Sequence, residues 1–141
     1  AFPDAHFVLI DPVSESEDRV QHWKDKISFD FVHCALGASA GTADVKIPRR
    51  PNRVRASRAS LADFEDGNAA MFEDFATRQI DVRQLDDVAA DYAGPFGLMV
   101  DTEGFELEVI KGASETLKYA NSSSRKYPSN GAFAAVIALV N

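Results

Sequence analysis

Three carboxylates in one short stretch are the side chains best placed to do chemistry in this sequence. Asp101, Glu103 and Glu106 follow the apolar run 96–100, and Gly104 among them permits a tight turn. Carboxylates at such a place can orient a substrate hydroxyl, act as a general base or hold a divalent cation. We favour such a role for Asp101. The alternative, that the glutamates only complement the positive N-terminus of a helix, is favoured for Glu106.

Two further segments also follow apolar runs. Asp11 comes after the run 6–10, where a carboxylate can accept both hydroxyl protons of a ribose, but Asp-Pro also commonly starts a turn. From this residue alone the turn is the favoured interpretation. Ala35, Leu36 and Gly37 are small enough to let a flat ring lie against the backbone, and a tight turn explains them equally well.

Alternating strands and helices must position these residues. Apolar runs with β-branched residues predict strands, and apolar stripes after capping residues such as Ser14, with Glu17 as its partner, predict helices. We predict an α/β fold with a mostly parallel sheet and helices on both faces, because the strands are apolar on both sides. The predicted strands are 6–10, 29–36, 42–47, 80–85 (near an edge), 96–100 and 134–140; the predicted helices are 14–26, 69–77, 85–92 and 103–119; 49–60 is a polar loop.

Open parallel sheets bind ligands outside the carboxyl ends of their strands. Asp11 and Asp101 each follow a predicted strand of this sheet. We therefore expect the two carboxylates to lie on the same edge.

Composition narrows the function classes. The chain has 141 residues and a net charge of −7, which predicts one domain over 1–141 and argues against nucleic acid as a partner. The single cysteine, Cys34, excludes an intrachain disulfide framework and fits a reducing, cytoplasmic location. No apolar run is long enough to predict a membrane span, and the three histidines show no metal-ligand spacing.

One long stretch carries a family resemblance. PFGLMVDTEGFELEVIKGASETL resembles the hallmark of FkbM-type S-adenosylmethionine-dependent methyltransferases: an apolar strand, then Asp-x-Glu-Gly-x-Glu, then an apolar helix start with Lys-Gly-Ala and a later Leu. The matching residues here are Asp101, Glu103, Gly104, Glu106, Lys111, Gly112, Ala113 and Leu117. VLIDP, CALGASAG, VRQLDDV and AAVIALV resemble, in the right order, the family's second strand, third-strand segment, Val-x-x-Leu-Asp stretch and fifth strand.

The resemblance implies a class I, Rossmann-like methyltransferase that uses S-adenosylmethionine. The implied reaction is methylation of a hydroxyl oxygen on a small molecule, such as a sugar or a secondary metabolite. Asp101 would be the carboxylate on the acceptor side, with Glu103 as its assistant. Asp11 would bind the cofactor ribose, and Ala35 and Leu36 would lie near the adenine.

The sequence departs from the family pattern in three places. It has no Gly-rich segment of the Asp-x-Gly-Ala-Asn-x-Gly type that follows the family's first strand, it lacks the last two strands, and Leu139 replaces an acid often found in the fifth strand. Because strand-like residues also begin within a few positions of Ala1, we predict a partial domain that begins before it. Loss of the central first strand would expose apolar surface and favour self-association through a sheet edge.

Two rival functions remain at this point. The chain could be a non-catalytic remnant of a methyltransferase domain that acts as a binding or interaction module, which the missing Gly-rich segment favours. The long match around Asp101 favours the enzyme. A different nucleotide-binding α/β domain would need a Gly-rich fingerprint that the sequence does not contain.

Overall fold

The α/β class predicted from the sequence is present in the structure, a computed structural model. It describes residues 5–50, 53–54, 74–92, 96–102, 104–121 and 133–139. The elements are β1 (Ala5–Ile10), α1 (Ser14–Val20), a 3-10 turn (Gln21–Trp23), β2 (Ser28–Val32), β3 (Ala35–Leu36), β4 (Gly41–Arg50), β5 (Arg53–Val54), β6 (Asp74–Arg83), α2 (Leu85–Ala89), β7 (Phe96–Asp101), α3 (Glu106–Lys111), α4 (Ser114–Asn121) and β8 (Phe133–Leu139).

The strands form two sheets rather than one. The first sheet has the order β2-β1-β8-β7, and its neighbouring strands are all parallel. The second has the order β3-β6-β4-β5, in which β4 runs antiparallel to both β5 and β6 while β3 is parallel to β6. The expectation of one mostly parallel sheet therefore holds for the first sheet alone.

The strand β8 occupies the centre of the first sheet. Val136 pairs with Val8 of β1 on one side and with Leu98 of β7 on the other. The expectation that a missing central strand leaves this region open is wrong, because β8 pairs with both strands that would border the gap. The missing strand therefore no longer supports self-association through a sheet edge, which stays a prediction.

Two buried clusters hold the sheets to their neighbours. One joins the face of β1 that carries Val8 and Ile10 to Leu85 of α2 and Val109 of α3. The other packs Val13, which precedes α1, against residues of the second sheet, namely Ala35, Val45, Ile47 and Ile80. Burial of these side chains is what gives short elements such as α2 and α3 stability that they would lack in isolation.

The first predicted helix ends early. It runs from Ser14 to Val20 and gives way to the 3-10 turn, whereas the sequence predicted 14–26. Trp23 and Ile27 of the predicted apolar stripe are 44% and 36% exposed, so no packed face extends the helix. The predicted cap is also wrong, since Val13 is the N-cap and the Ser14 hydroxyl donates to Glu15 instead.

The predicted strand 29–36 is two strands in two sheets. β2 ends at Val32, and the amide of Cys34 donates to the carbonyl of Val32 in a turn between them. After this turn β3 pairs with β6 in the second sheet. An apolar run cannot reveal such a change of sheet, because both halves are equally apolar.

The middle of the chain is more extended than predicted. β6 begins at Asp74, so the predicted helix 69–77 is wrong for 74–77, and 69–73 lie outside the described residues. β6 lies next to the edge strand β3, which pairs with it only at Val82 and Arg83, so the predicted place near an edge is present. The predicted loop 49–60 is wrong for 49–50, which end β4, and for 53–54, which form β5, and its other residues lie outside the described ones.

The long predicted helix 103–119 is broken at Gly112 into α3 and α4. The carbonyl of Gly112 accepts the amide of Asp86 at 3.0 Å. The carboxylate of Asp86 in turn accepts the amides of Glu115 and Thr116 and the hydroxyls of Ser114 and Thr116 at 2.7–3.2 Å. Asp86, which lies in α2, therefore accepts the hydrogen bonds that the first turn of α4 would otherwise leave unmade. This capping favours two separate helices over one.

Glycine is required at the break. A Cβ on Gly112 would lie 2.1 Å from the carbonyl oxygen of Gly37, which follows β3. We expect Gly112→Ala to lower the free energy of unfolding by about 2–3 kcal/mol, as overpacked sites do, in urea unfolding followed by circular dichroism. Gly41→Ala is the matched control, because a Cβ there meets no atom within 4 Å. Equal stability of the two variants would contradict this packing.

The cap on α4 gives a second prediction. Burial opposes ionisation of Asp86, but the amides of Glu115 and Thr116 and the two hydroxyls outweigh it and lower its pKa. We expect Asp86→Ala to cost about 1–2 kcal/mol near neutral pH, as lost N-caps do, measured by thermal unfolding. Because its pKa is lowered on folding, this contribution is present above the unfolded pKa and disappears as the pH falls through the folded one. The same deficit at the lowest pH would contradict the assignment.

Candidate functional site

The carboxyl ends of the first sheet bring two predicted site residues to one edge. Ala138 of β8 pairs with Ile10 of β1 and with Val100 of β7, so Asp11 and Asp101 come next at the same level on either side of β8. Two strand spacings separate their backbones, which is about 10 Å. The shared edge predicted from the sequence is thus present, with the end of β8 between the two carboxylates.

Asp11 is a buried carboxylate. It is 4% exposed, its Oδ1 accepts the amide of Val13 at 2.7 Å, and its own amide donates to the carbonyl of Val32 at 3.2 Å. Burial raises its pKa to about 6, against the opposing effect of the Val13 amide. The turn that the sequence favoured therefore exists, and the ribose role of Asp11 stays a prediction.

A cavity of about 300 Å³ lies between β6 and the segments that follow β1 and β2, and Pro12, the residue after Asp11, is part of its lining. It opens near the ends of β1 and β2, and its lining consists of Pro12, Ser14, His33, Arg78, Gln79, Ile80 and Asp81. That volume is at the lower end of the range for small-molecule pockets, about 300–1,000 Å³.

The cations of this cavity are paired with α1. Arg78 donates from Nη1 and Nη2 to the two carboxylate oxygens of Glu15, each at 2.9 Å, and this pairing lowers the pKa of Glu15 to about 2. Nε2 of His33 lies 2.8 Å from a carboxylate oxygen of Glu17. The two contacts fix α1 over the cavity, and Glu15 offsets the charge of Arg78.

Ala35 and Leu36 are buried in different cores. Ala35 is 1% exposed and packs with the second sheet, whereas Leu36 is 3% exposed and packs with Val8 and Ile10. Successive side chains of a strand point to opposite faces, which accounts for the division. In the structure neither side chain faces the cavity, and their place near an adenine stays a prediction.

The signature carboxylates divide into different roles. Asp101 ends β7 and is exposed, so its side chain is accessible. Glu106 begins α3, and its carboxylate accepts the amides of Thr102 at 3.2 Å and Gly104 at 3.1 Å, which lowers its pKa. Gly104 has a φ of 106°, a conformation that favours glycine. Glu106 thus stabilises the turn, as the sequence favoured, and Glu103 lies outside the described residues.

Sequence reasoning missed the functions of Asp86 and Gly112. Both were matched to family motifs, but no role followed from their residue types. The structure joins them, since Gly112 lies against Gly37 and its carbonyl binds the amide of Asp86. Two features of the sequence pointed to these roles: Gly112 stands inside a predicted helix, where glycine is unfavourable, and Asp86 stands at the start of another predicted helix.

The described residues show neither a metal-binding group nor a membrane-spanning helix. No group of three or more His, Cys, Asp and Glu side chains in that part of the chain is arranged to hold a metal ion. Among its helices, none has the length and apolar character needed to cross a membrane.

Comparison with known proteins gives one family. The family model described as the methyltransferase FkbM domain matches residues 2–121. Neither the comparison with curated proteins nor the comparison with solved structures found a match. The matched range includes both Asp11 and Asp101.

The raised pKa of Asp11 gives a prediction about stability. A carboxyl whose pKa is higher in the folded state destabilises the fold when ionised, fully above about pH 6, and this cost disappears as the pH falls below the unfolded pKa of about 4. We expect Asp11→Asn, which keeps an oxygen acceptor for Val13, to raise the free energy of unfolding by about 2–3 kcal/mol at pH 8. Urea unfolding at pH 8 and pH 4 measures this.

The exposed Asp44 supplies the control for that experiment. Asp44→Asn should leave the free energy of unfolding nearly unchanged at both pH values. A destabilised Asp11→Asn at pH 8 would mean that the carboxylate makes a favourable ionic contact that outweighs its burial.

Proposed function

This chain belongs to the FkbM methyltransferase domain family, and we propose that it transfers a methyl group from S-adenosylmethionine to a hydroxyl oxygen of a small molecule, such as a sugar or a secondary metabolite. The observation that carries the proposal is the shared edge of the first sheet. Asp11 and Asp101 flank the end of β8, and Pro12, which follows Asp11, lines the cavity. The Rossmann-like arrangement is part of the same proposal, supported by the parallel strands β2, β1, β8 and β7.

The nucleoside part of the cofactor would occupy this cavity. Pro12 and His33 offer an apolar surface and a ring that can lie against a flat base, and both line the cavity. The Asp11 carboxylate follows β1 where a ribose diol would be held, and it accepts hydroxyl protons when ionised. A bound ribose would donate two hydrogen bonds to the buried carboxylate of Asp11.

The acceptor would lie at Asp101. S-adenosylmethionine, when bound, supplies an electrophilic methyl group on a sulfonium sulfur. Asp101 is exposed and its backbone lies about 10 Å along the edge from that of Asp11, so Asp101 would hold the acceptor hydroxyl beside a cofactor whose ribose Asp11 would bind. The carboxylate orients the hydroxyl and accepts its proton, with Glu103 as assistant. Orientation of two bound reactants provides much of the rate in such a displacement.

We propose that the Asp11 side of the edge supplies much of the affinity for the cofactor, because it would hold the nucleoside. We also propose a cytoplasmic location, which the single reduced cysteine supports.

Calorimetric titration of S-adenosylhomocysteine tests the proposal. We expect binding to the wild type that Asp11→Asn reduces at least about tenfold, since an amide cannot accept both ribose hydroxyl protons on charged oxygens. The loss would not reflect unfolding, because this variant is expected to be the more stable one near pH 8. Affinity should also rise with pH through about 6, as Asp11 ionises.

Asp101→Asn is the matched control for this titration. It should bind S-adenosylhomocysteine like the wild type, because it removes only the carboxylate on the acceptor side. Absence of binding by the folded wild-type chain would refute methyl transfer by this chain and favour the binding-module alternative. Equal loss in both variants would refute the division of the edge into a ribose side and an acceptor side.

A further inference from the structure

A second group of reactive side chains lies at the opposite end of the first sheet. Nδ1 of His6 lies 2.7 Å from Oγ of Ser28, and Nε2 of the same ring lies 3.0 Å from Oδ2 of Asp30. The register places His6 opposite Ser28 and Val8 opposite Asp30, so all three side chains stand on one face of β1 and β2. We call these three residues and Tyr92 the Ser28 cluster.

Tyr92 covers the cluster on the side of α2. Its ring stacks on His6 with 6.1 Å between centroids. Burial raises the pKa of Tyr92, and the Asp30 carboxylate, which accepts its hydroxyl, raises it further. Asp30 therefore contacts both the ring nitrogen of His6 and the hydroxyl of Tyr92.

These contacts select the tautomer of His6. Ionised Asp30 only accepts, so Nε2 of His6 must carry the proton in the hydrogen bond between them. Nδ1 is then the acceptor for the Ser28 hydroxyl. A hydroxyl bonded to a base that a carboxylate orients is the arrangement that activates a serine nucleophile.

The cluster is accessible and separate from the proposed methyl-transfer edge. Ser28 is exposed, and the side chains of His6 and Asp30 are 32% and 53% exposed. His6 precedes Asp11 by five strand positions, which is about 16 Å. Nothing in the methyl-transfer proposal uses these residues.

A surface groove begins at the same Tyr92. It has a volume of about 300 Å³ and runs between α2 and α4. Ala89, Ala90 and the rings of Tyr92 and Tyr119 make most of its lining apolar, and Asp86, Glu115 and Thr116 complete it. Tyr92 is thus shared by the groove and the Ser28 cluster, and the groove offers an apolar surface to an aromatic group.

From this geometry we propose that Ser28 is an acyl-accepting nucleophile, with His6 as its base and Asp30 as the group that orients the base. The substrate class is an aryl ester of a short carboxylic acid. β2 pairs with β1 alone among the described strands, so its outer side presents the unpaired amides of an edge strand to a developing oxyanion. Exposed amides stabilise such charge weakly, which is why a leaving group as good as a phenolate is needed.

The reaction has two steps. Oγ of Ser28 bonds to the ester carbonyl carbon while its proton passes to Nδ1 of His6, and the carbon–oxygen bond to the phenolate breaks. The phenolate leaves with the proton from Nδ1, or it leaves as the anion and Nδ1 releases its proton to the solvent. Water then bonds to the acyl carbon while one of its protons passes to Nδ1. The bond from the acyl carbon to Oγ of Ser28 breaks, Oγ takes the proton back from Nδ1, and the carboxylic acid leaves.

Acylation by p-nitrophenyl acetate tests the proposal. We expect p-nitrophenolate release above the buffer rate, and one acetyl group on Ser28 in peptide mass spectrometry. Ser28→Ala should abolish the excess, and His6→Gln should lower it about 100-fold, as loss of a general base does. Ser39→Ala, which removes another exposed serine, should leave the rate unchanged.

A fluorophosphonate probe gives an independent result, because it bonds to activated serines and releases fluoride. Labelling mapped to Ser28 and lost in Asp30→Asn supports the proposal. Thermal unfolding shows that each variant is folded. A folded Ser28→Ala variant that releases p-nitrophenolate at the wild-type rate, or a folded wild type labelled on other side chains alone, would overturn it. In that case His6, Ser28 and Asp30 would have only a structural role, as hydrogen bonds between the side chains of β1 and β2.

Discussion

The close approach of two backbones, at Gly112 and Gly37, is the constraint on which the rest of the structure depends. Gly112 has no side chain, so the junction of α3 and α4 can lie against the carbonyl of Gly37 in the segment that follows β3. At that distance the carbonyl of Gly112 receives the amide of Asp86, and the Asp86 carboxylate can reach the first turn of α4. The contact between Gly112 and Gly37 thereby brings together three segments that are far apart in sequence, namely those around Gly37, Asp86 and Gly112.

Much of the architecture was predictable where a pattern was strong and local. The strands at 6–10, 96–100 and 134–140 are present within a few residues of their predicted bounds, and the family was identified from the stretch around Asp101. The common edge of Asp11 and Asp101 followed from a general property of parallel sheets. These inferences needed no knowledge of which strand pairs with which.

The predictions that failed needed information about partners. An apolar run does not say that its two halves enter different sheets at His33 and Cys34, or that β8 will take the central position. The stripe through Trp23 had the period of a helix but no surface to pack on. Asp11 shows the same limit within the site, since its local turn to Val13 was predictable from the sequence but its burial depends on tertiary structure.

The central position of β8 has a consequence for how the chain folds. Val8 must pair with Val136, so the first sheet closes only after almost the whole sequence has been brought together, whereas β4 and β6 belong to a single nearby stretch. Pairings between such distant segments form slowly, because the entropy of closing the long loop is lost before any contact compensates for it. Until then β1 and β7 each present an unpaired parallel edge, which is the kind of surface that chaperones shield and that aggregating chains share.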